Sequence, residues 1–350
     1  MERQLPLIVA FFSLLLTTCS AIPDELEKWL DKQNIEDHDF SKYLNYRDTM
    51  EFLQTRLERC HQVSETLCRI QTIGKSYEGR DLKVFNIGNE PGKIKRSIWI
   101  DAGIHAREWI SHATALFIID RLVDEFGNDP EIDDMIRTYD WYILPIVNPD
   151  GYEFTWTNDR LWRKTRKPNP GSPCVGVDAN RNFGFNWNSV GSSNDPCSPI
   201  YAGPSPWSEP EAKAIKDFME QSTFNWILFI TLHSKGQLWM APWGYTTERP
   251  DNYDKLMEVG QLAIKAIKET HGKDYRLGSA SEILYLSSGT SRDWAAGSAN
   301  IPYVYTIELR DKGEFGWELP PEQIRPTGEE IWNAVKAVYK KIKSDNPSLI

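Results

Sequence analysis

One segment of the sequence, at the point where an apolar run ends and a helical pattern begins, contains residues that could bind a metal ion. This segment is GIHAREW, residues 103–109. His105 and Glu108 can both face a point beyond the carboxyl end of the preceding strand, where open α/β sheets bind their ligands. An imidazole and a carboxylate are two zinc ligands, and a catalytic zinc site takes a third and leaves one position to water. Among the other five histidines, His233 alone directly follows an apolar strand, so it is the candidate third ligand.

A His and a Glu three residues apart are a weak signal by themselves, because such a pair more often lies on a solvated helix face. His112 could also be a partner of Glu108, although its place inside the helical pattern favours a packed or capping histidine. His38, His61 and His271 stand in polar surroundings, and we expect them to face solvent. The sequence contains no H-E-x-x-H, G-x-S-x-G or G-x-G-x-x-G motif.

The elements that must position these residues alternate along the chain. Apolar patterning predicts strands over residues 82–87, 98–104, 141–147, 226–232 and 303–309, and helices over 47–61, 110–126, 209–221, 253–270 and 327–343. Strands separated by helices indicate a single α/β domain with a mixed, largely parallel twisted sheet and helices on both faces. Residues 168–206, rich in Gly, Ser, Asn and Pro, are expected to form long loops.

Composition narrows the class of partner. The chain has 350 residues, with 40% hydrophobic and 26% charged residues, as is typical of a globular protein. Its 50 acidic residues exceed its 40 basic ones, giving a net charge of −10. An acidic surface without a basic stripe is a poor binder of phosphate backbones, so we exclude nucleic acid as a partner.

The first 21 residues have the pattern of a signal peptide. Arg3 precedes an apolar run over residues 5–18, and small residues stand before a cleavage point near Ala21. The run is shorter than the about 20 apolar residues that span a bilayer. No later stretch resembles a membrane span, and the C-terminus lacks the apolar tail of a lipid-anchor signal. We therefore expect a secreted, extracellular chain.

The cysteines agree with an oxidising compartment. Removal of residues 1–21 leaves Cys60, Cys68, Cys174 and Cys197, an even number that allows two disulfides. Four cysteines permit three pairings, and proximity in sequence favours Cys60–Cys68 and Cys174–Cys197. Metal binding by these cysteines is disfavoured because the sequence has no C-x-x-C.

Taken together, seven segments resemble the zinc metallocarboxypeptidases of the pancreatic A/B type, in their order and spacing, over residues 43–339. They are GIHAREW (103–109), NPDGY (148–152), DRLWRK (159–164), VDANRN (177–182), HS (233–234), ILY (283–285) and TIELRD (306–311). The resemblance implies a zinc-dependent exopeptidase with one Zn²⁺ per chain, acting on the C-termini of peptides or proteins. We also expect a monomer without a membrane span.

The resemblance assigns the catalytic residues. His105, Glu108 and His233 match the zinc ligands, and Asp178 matches the carboxylate that orients the first histidine. Glu308 matches the general base and acid, which takes a proton from water and delivers it to the leaving amine. Arg163 matches the donor that stabilises the tetrahedral oxyanion.

The same resemblance assigns substrate-binding residues. Asn180, Arg181 and Tyr285 match the groups that hold the free carboxylate of the substrate, and a guanidinium suits that role because it binds a carboxylate bidentately. Tyr285 could instead be an ordinary half-buried strand aromatic. Arg107 matches a residue further along the substrate groove.

Specificity depends on position 292, at the base of the pocket for the terminal side chain in the family. Family members with an aliphatic residue at this position prefer substrates with a hydrophobic terminal residue, and members with Asp prefer a terminal Lys or Arg. This chain has Arg292, as in the carboxypeptidase O branch, which prefers a terminal Glu or Asp. A buried Arg gains a partner from a substrate carboxylate. In one alternative, Arg292 forms an internal ion pair with an acid such as Glu282, so that the pocket is neutral and the enzyme prefers hydrophobic terminal residues. In another, the protein is an inactive relative that binds peptides without cleaving them. A small-molecule amidohydrolase is disfavoured by the export signal and by the presence of Asn180, Arg181 and Tyr285, which we call the carboxylate clamp.

Three departures from the family pattern bear on regulation. Only residues 22–41 separate the signal peptide from the catalytic domain, residues 42–350, so we expect no full inhibitory propeptide and no zymogen stage. Lys235 follows HS where the family usually has Tyr, which can add a positive contact for acidic residues upstream. Since the C-terminus shows no lipid-anchor tail, unlike that of carboxypeptidase O, we expect release from the cell.

Overall fold

Eight strands form one mixed sheet in the computed structural model, which describes residues 40–88, 92–221 and 223–347. The strands are β1 (Cys68–Lys75), β2 (Asp81–Ile87), β3 (Arg96–Ala102), β4 (Tyr139–Leu144), β5 (Trp226–Ser234), β6 (Leu238–Ala241), β7 (Arg276–Ser279) and β8 (Tyr303–Leu309). Their order across the sheet is β1-β2-β4-β3-β5-β8-β6-β7. The central pairs β4–β3, β3–β5 and β5–β8 are parallel, as is β6–β7, whereas β1–β2, β2–β4 and β8–β6 are antiparallel.

The helices connect and cover these strands. They are α1 (Tyr46–Val63), α2 (Trp109–Glu125), α3 (Pro130–Thr138), α4 (Pro149–Thr157), α5 (Pro210–Met219), α6 (Tyr253–His271), α7 (Ala280–Ile283), α8 (Ser291–Gly297) and α9 (Ile324–Asp345). Among the described residues, no helix has both the length and the apolar character needed to cross a bilayer.

The hydrophobic core lies on both faces of the sheet. Successive side chains of a strand point to opposite faces, so Ile98 and Ile100 pack into one cluster with α2, α6 and α9, while Trp99 packs into a second with α5 and α8. All residues of β4 and β5 are buried, as is typical of strands covered on both faces. The predicted mixed, largely parallel α/β domain with helices on both faces is confirmed.

Element boundaries differ from the prediction near the site. The predicted strand 98–104 ends at Ala102, and Gly103 adopts a positive φ of 70°. A Cβ at Gly103 would lie 2.2 Å from the imidazole of His112, so this turn requires glycine. The predicted strand 141–147 starts earlier, at Tyr139, and ends at Leu144, although Val147 beyond it remains buried.

Several elements were not predicted. Strand β1 has a mixed burial pattern without a buried run, and β6 and β7 have only four residues each. Helix α3 is short, but it has recognisable start signals, since Pro130 is its first residue and Asp129 caps it by accepting a hydrogen bond from the Glu131 amide.

Both predicted disulfides are present. Cys60–Cys68 links the end of α1 to the start of β1, and Cys174–Cys197 closes part of the long loop region between α4 and α5. The predicted signal peptide, residues 1–21, lies outside the described residues, as does nearly all of the segment 22–41.

Candidate active site

Three buried side chains meet at the carboxyl ends of the central strands. His105 follows β3, Glu108 stands immediately before α2, and His233 lies near the end of β5. The Ala102–Leu232 register of the parallel pair β3–β5 brings these strand ends together. Nδ1 of His105 lies 2.9 Å from Glu108 Oε1, and Nδ1 of His233 lies 3.1 Å from Glu108 Oε2 and 3.1 Å from His105 Nδ1.

This donor set fits a zinc ion. The candidate ligand atoms all lie within 4.8 Å of one another, and two imidazole nitrogens with one carboxylate are ligands that catalytic zinc sites use. Glu108 Oε2 also accepts a hydrogen bond from the Ser234 amide at 3.1 Å, which orients the carboxylate. Burial opposes ionisation of Glu108, but His105 and His233 outweigh it and lower its pKa.

Asp178 contacts the first histidine of the candidate metal site. Its Oδ1 lies 3.1 Å from His105 Nε2, so a proton on Nε2 leaves the Nδ1 lone pair directed at the other two ligands. Its Oδ2 accepts hydrogen bonds from Nη2 of Arg163 at 2.8 Å and from Nε at 3.2 Å. Burial alone would raise the pKa of Asp178, but Arg163, His105 and Arg181 hold it well below its usual range.

Glu308 borders the same cleft from β8. It is the direct register partner of His233, and its Oε2 is buried without a hydrogen-bond partner among the described residues. Burial, with the nearby Glu108 carboxylate, raises the pKa of Glu308. A carboxylate with an unpartnered oxygen facing a cleft is suited to accept and return a proton.

The three residues predicted to hold a terminal carboxylate line the cleft together. Arg181 is fixed by two backbone carbonyls, since its Nε donates to Gly191 O at 2.9 Å and its Nη1 to Asn180 O at 2.8 Å. Asn180 Oδ1 accepts a hydrogen bond from the Ser291 amide at 3.0 Å. Tyr285 is 50% exposed and belongs to no strand, so its interpretation as a strand aromatic is wrong; its ring centroid lies 5.9 Å from the Arg181 guanidinium.

Arg292 lies in the first turn of α8 with 3% of its surface exposed. Its Nε donates to Asp293 Oδ1 at 3.1 Å and its Nη1 to Thr306 Oγ1 at 3.3 Å, while Nη2 is buried with no hydrogen-bond partner within the described ranges. Glu282, considered as a possible internal partner, instead pairs with Arg249 at 3.0 Å and accepts from Tyr253 at 3.1 Å. The internal acid that contacts Arg292 is therefore Asp293.

The other histidines that the structure describes lie outside the candidate metal site, and His38, expected to face solvent, falls outside the described residues. His112 is buried in α2, donates a hydrogen bond from Nδ1 to the Glu108 carbonyl at 3.1 Å, and stacks on Tyr152 with the ring centroids 4.0 Å apart, in agreement with a packed histidine. His271 bonds to Glu329, and His61, which was expected to face solvent, is only partly exposed and bonds to the Cys68 carbonyl.

The sequence analysis assigned no role to several residues that line the cleft, among them Met240, Leu284, Ser287, Thr290, Thr306 and Trp317. Of these, Thr306 could have been found, because it stands two residues before Glu308 in a predicted strand and so shares its face. The others come from loops and short elements, where the sequence carries no periodic signal.

A mixed α/β fold with a His-Glu-His group and a facing glutamate at the ends of its parallel strands defines a zinc hydrolase. The chain matches the family described as zinc carboxypeptidase over residues 53–334, and it belongs to that family. It is therefore a zinc metallocarboxypeptidase, a peptide hydrolase.

Similar proteins differ in the type of carboxypeptidase they represent. Carboxypeptidase B of Astacus astacus is 44% identical over 279 residues, which cover 79% of this chain and 90% of that protein. Carboxypeptidase O of Homo sapiens is 41% identical over 288 residues, which cover 81% of this chain and 77% of that protein. The crystal structure of carboxypeptidase A from Helicoverpa armigera superposes with a TM-score of 0.81 at 30% identity, covering 91% of this chain and 81% of that one. The relatives thus include carboxypeptidases of types B, O and A.

Proposed function

We propose that this zinc carboxypeptidase removes single C-terminal residues from peptides and prefers Glu or Asp. The observation that carries the preference is Nη2 of Arg292, a buried, charged donor that lacks a hydrogen-bond partner among the described residues, in a side chain that lines the cleft. A buried unpaired donor is unfavourable, and an ionised substrate carboxylate would supply its acceptor. A charge-assisted hydrogen bond of about 1.5–3 kcal/mol corresponds to roughly ten- to more than a hundredfold discrimination.

The ion pair between Arg292 and Asp293 is compatible with binding of a substrate carboxylate by Arg292. The Asp293 carboxylate is shared, because it also accepts hydrogen bonds from the amides of Gly244 and Tyr245 at 3.0 Å. Arg292 contacts it through Nε, so both Nη atoms remain directed elsewhere.

The same ion pair supports a second candidate. If Asp293 neutralises Arg292, the pocket would favour a hydrophobic terminal residue, and Met240 and Leu284 contribute apolar lining. The two functions differ in the terminal residue removed from otherwise identical peptides.

The mechanism we propose assigns a task to each group. His105, Glu108 and His233 would hold zinc, which when bound supplies a Lewis acid and lowers the pKa of water. Glu308 takes a proton from the attacking water and returns it to the leaving amine. Arg163, fixed against Asp178, donates to the developing oxyanion.

The carboxylate clamp explains why the enzyme acts at chain ends. Arg181, with Asn180 and Tyr285, would bind the free terminal carboxylate, which an internal peptide bond does not offer. Because the terminal carboxylate always binds at the same place, the last peptide bond lies at Glu308 and Arg163, and one residue is removed per cycle.

The proposed catalytic domain comprises residues 42–350, and we propose that the chain is exported. The two disulfides support an oxidising compartment, because such bonds persist mainly in extracellular and secretory environments.

Matched peptides ending in Glu, Leu or Arg test the proposed function. Mass spectrometry after digestion, with and without a zinc chelator, should show chelator-sensitive loss of the terminal Glu and little loss of Leu or Arg. Preferred removal of Leu would select the second candidate, and an absence of cleavage from all three would contradict both.

A further inference from the structure

Besides Arg292, the cationic residues Arg107 and Lys235 also line the cleft. Arg107 and Lys235 both contact the indole of Trp317, with the Arg107 guanidinium carbon 3.5 Å and Lys235 Nζ 4.9 Å from its ring centroid. All three residues line the same cleft as the candidate zinc ligands. We call Arg107, Lys235 and Trp317 the upstream site.

The upstream site is held in place by Arg160. Its Nη1 donates to the Arg107 carbonyl at 2.8 Å, and its Nη2 donates to the Trp317 carbonyl at 2.7 Å. Its guanidinium carbon also lies 3.7 Å from the ring centroid of Trp109, the first residue of α2. Arg160 therefore ties the two backbone segments that carry Arg107 and Trp317, so the site is formed before any ligand arrives.

The carboxylates that act on Arg107, namely Glu108, Asp178 and Asp159, do so without direct contact. Within the described part of the chain, neither Arg107 nor Lys235 forms an ion pair with a carboxylate within 4.0 Å. Arg107 Nε is buried without a hydrogen-bond partner, and Nη1 makes one long contact, 3.5 Å, to the Leu161 carbonyl. Two cations close to one indole ring, in a chain with a net charge of −10, create a local site for an anion.

The position of the upstream site selects the anion. Arg107 directly precedes the candidate ligand Glu108, and Lys235 follows His233 by two residues, so the site adjoins the zinc ligands. The terminal carboxylate is already assigned to Arg181, and the terminal side chain to Arg292. An anion at the upstream site therefore belongs to the part of the peptide on the amino side of the cleaved bond.

We propose that the upstream site binds an acidic side chain on the amino side of the cleaved bond, so that the preferred substrates are acidic C-terminal segments rather than single terminal acids. This inference rests on the proposed function, because it takes the cleft to be the substrate groove. Half-exposed charge pairs contribute little individually, so the expected gain is about two- to fivefold in kcat/KM.

Two series of hexapeptides test the inference on the intact enzyme. One series ends in Glu and the other in Leu, and in each series one of the three residues before the terminal residue is Glu while its partner peptide has Gln. Wild-type enzyme should cleave at least one Glu peptide about two- to fivefold faster than its Gln partner. That ratio should fall toward one at high salt, because screening weakens exposed charge pairs.

Variants locate the effect at Lys235. Lys235→Gln should reduce the Glu-to-Gln ratio, and a far-ultraviolet circular dichroism spectrum equal to that of the wild type checks that the variant is folded. Lys235→Arg should keep most of the ratio. Lys312→Gln, at an exposed position that does not line the cleft, makes the same change in net charge and should keep all of it.

The outcomes separate this inference from the proposed function. Equal cleavage of Glu and Gln partners at every upstream position, or a preference that survives in Lys235→Gln, would overturn the upstream site and leave any terminal preference standing. A salt-sensitive upstream preference that Lys235→Gln reduces, found in peptides ending in Leu but without selectivity for terminal Glu, would support the upstream site and overturn the role of Arg292.

Discussion

His233 and Glu308 are direct register partners on the neighbouring parallel strands β5 and β8. A candidate metal ligand and the proposed proton carrier therefore lie side by side at the carboxyl ends of two strands, in a sheet whose central pairs are fixed by backbone hydrogen bonds. Because the strands are covered on both faces, this spacing is set by the core rather than by flexible loops. Loops, a short helical turn at Ala179–Arg181 and the first turn of α8 carry the proposed substrate contacts around it.

Glu308→Gln removes the proposed proton carrier while keeping the shape of the side chain. Proton transfer by a positioned group contributes about 10²- to 10⁴-fold, so we expect kcat to fall by that range with terminal-Glu peptides. Zinc content, measured by elemental analysis of the purified protein, should stay near one per chain. Unchanged kcat would exclude Glu308 as the proton carrier.

Asp178→Asn tests the support of His105. An amide cannot offer the charge that Asp178 presents to His105 and Arg163, so zinc affinity should fall about 10- to 100-fold. Competition with a chelator of known affinity measures the change. Asp251→Asn, at an exposed position, is the matched control and should bind zinc as the wild type does.

Gly244→Ala tests whether the position of Arg292 sets specificity. A Cβ at residue 244 would lie 2.1 Å from Arg292 Nη2, so the guanidinium must move although its charge remains. We expect the kcat/KM ratio for terminal Glu over terminal Leu to fall by about tenfold, with a smaller change for Leu peptides. A ratio equal to that of the wild type would show that Nη2 does not contact the substrate.

Glu211 makes stability depend on pH. It is fully buried in α5, its Oε2 lacks a hydrogen-bond partner among the described residues, and burial, with Glu209 and Asp150 nearby, raises its pKa to about 8. Between its ordinary value of 4.5 and about 8, the folded chain binds more protons at this site than the unfolded chain, so stability decreases as pH rises. The loss is at most about 5 kcal/mol for this shift.

Thermal or urea unfolding from pH 5 to 9 measures this effect. Glu211→Gln should be destabilised less than the wild type as pH rises, and the two should converge at acid pH. Glu220→Gln, on the exposed end of the same helix, should follow the wild type. Parallel curves for wild type and Glu211→Gln would contradict the raised pKa.

The sequence predicted the parts of the molecule that repeat a pattern. Strand β8 was predicted with its observed bounds, because alternating apolar residues run unbroken from Tyr303 to Leu309. The candidate zinc ligands could be proposed because His105 and His233 directly follow the apolar runs from which two strands were predicted. Their convergence within 3.1 Å depends on strand order, which one sequence does not specify.

Other parts depended on contacts between distant residues. Nothing in the sequence favoured Asp293 over Glu282 as the acid beside Arg292, since the choice depends on how α8 packs against the Gly244–Tyr245 backbone. Arg160 bonds to Arg107, 53 positions earlier in the chain, and to Trp317, 157 positions later. Short strands such as β6 are stabilised by their neighbours in the sheet and have too few residues to show a period.

The most direct test of the central claim compares kcat/KM for peptides that differ only in a terminal Glu or Leu, using zinc-loaded wild type and Arg292→Leu. The proposed function predicts that wild type favours terminal Glu by roughly tenfold or more and that Arg292→Leu reverses the preference toward Leu. Wild type that favours Leu, or an Arg292→Leu variant that keeps the preference for Glu, would contradict it.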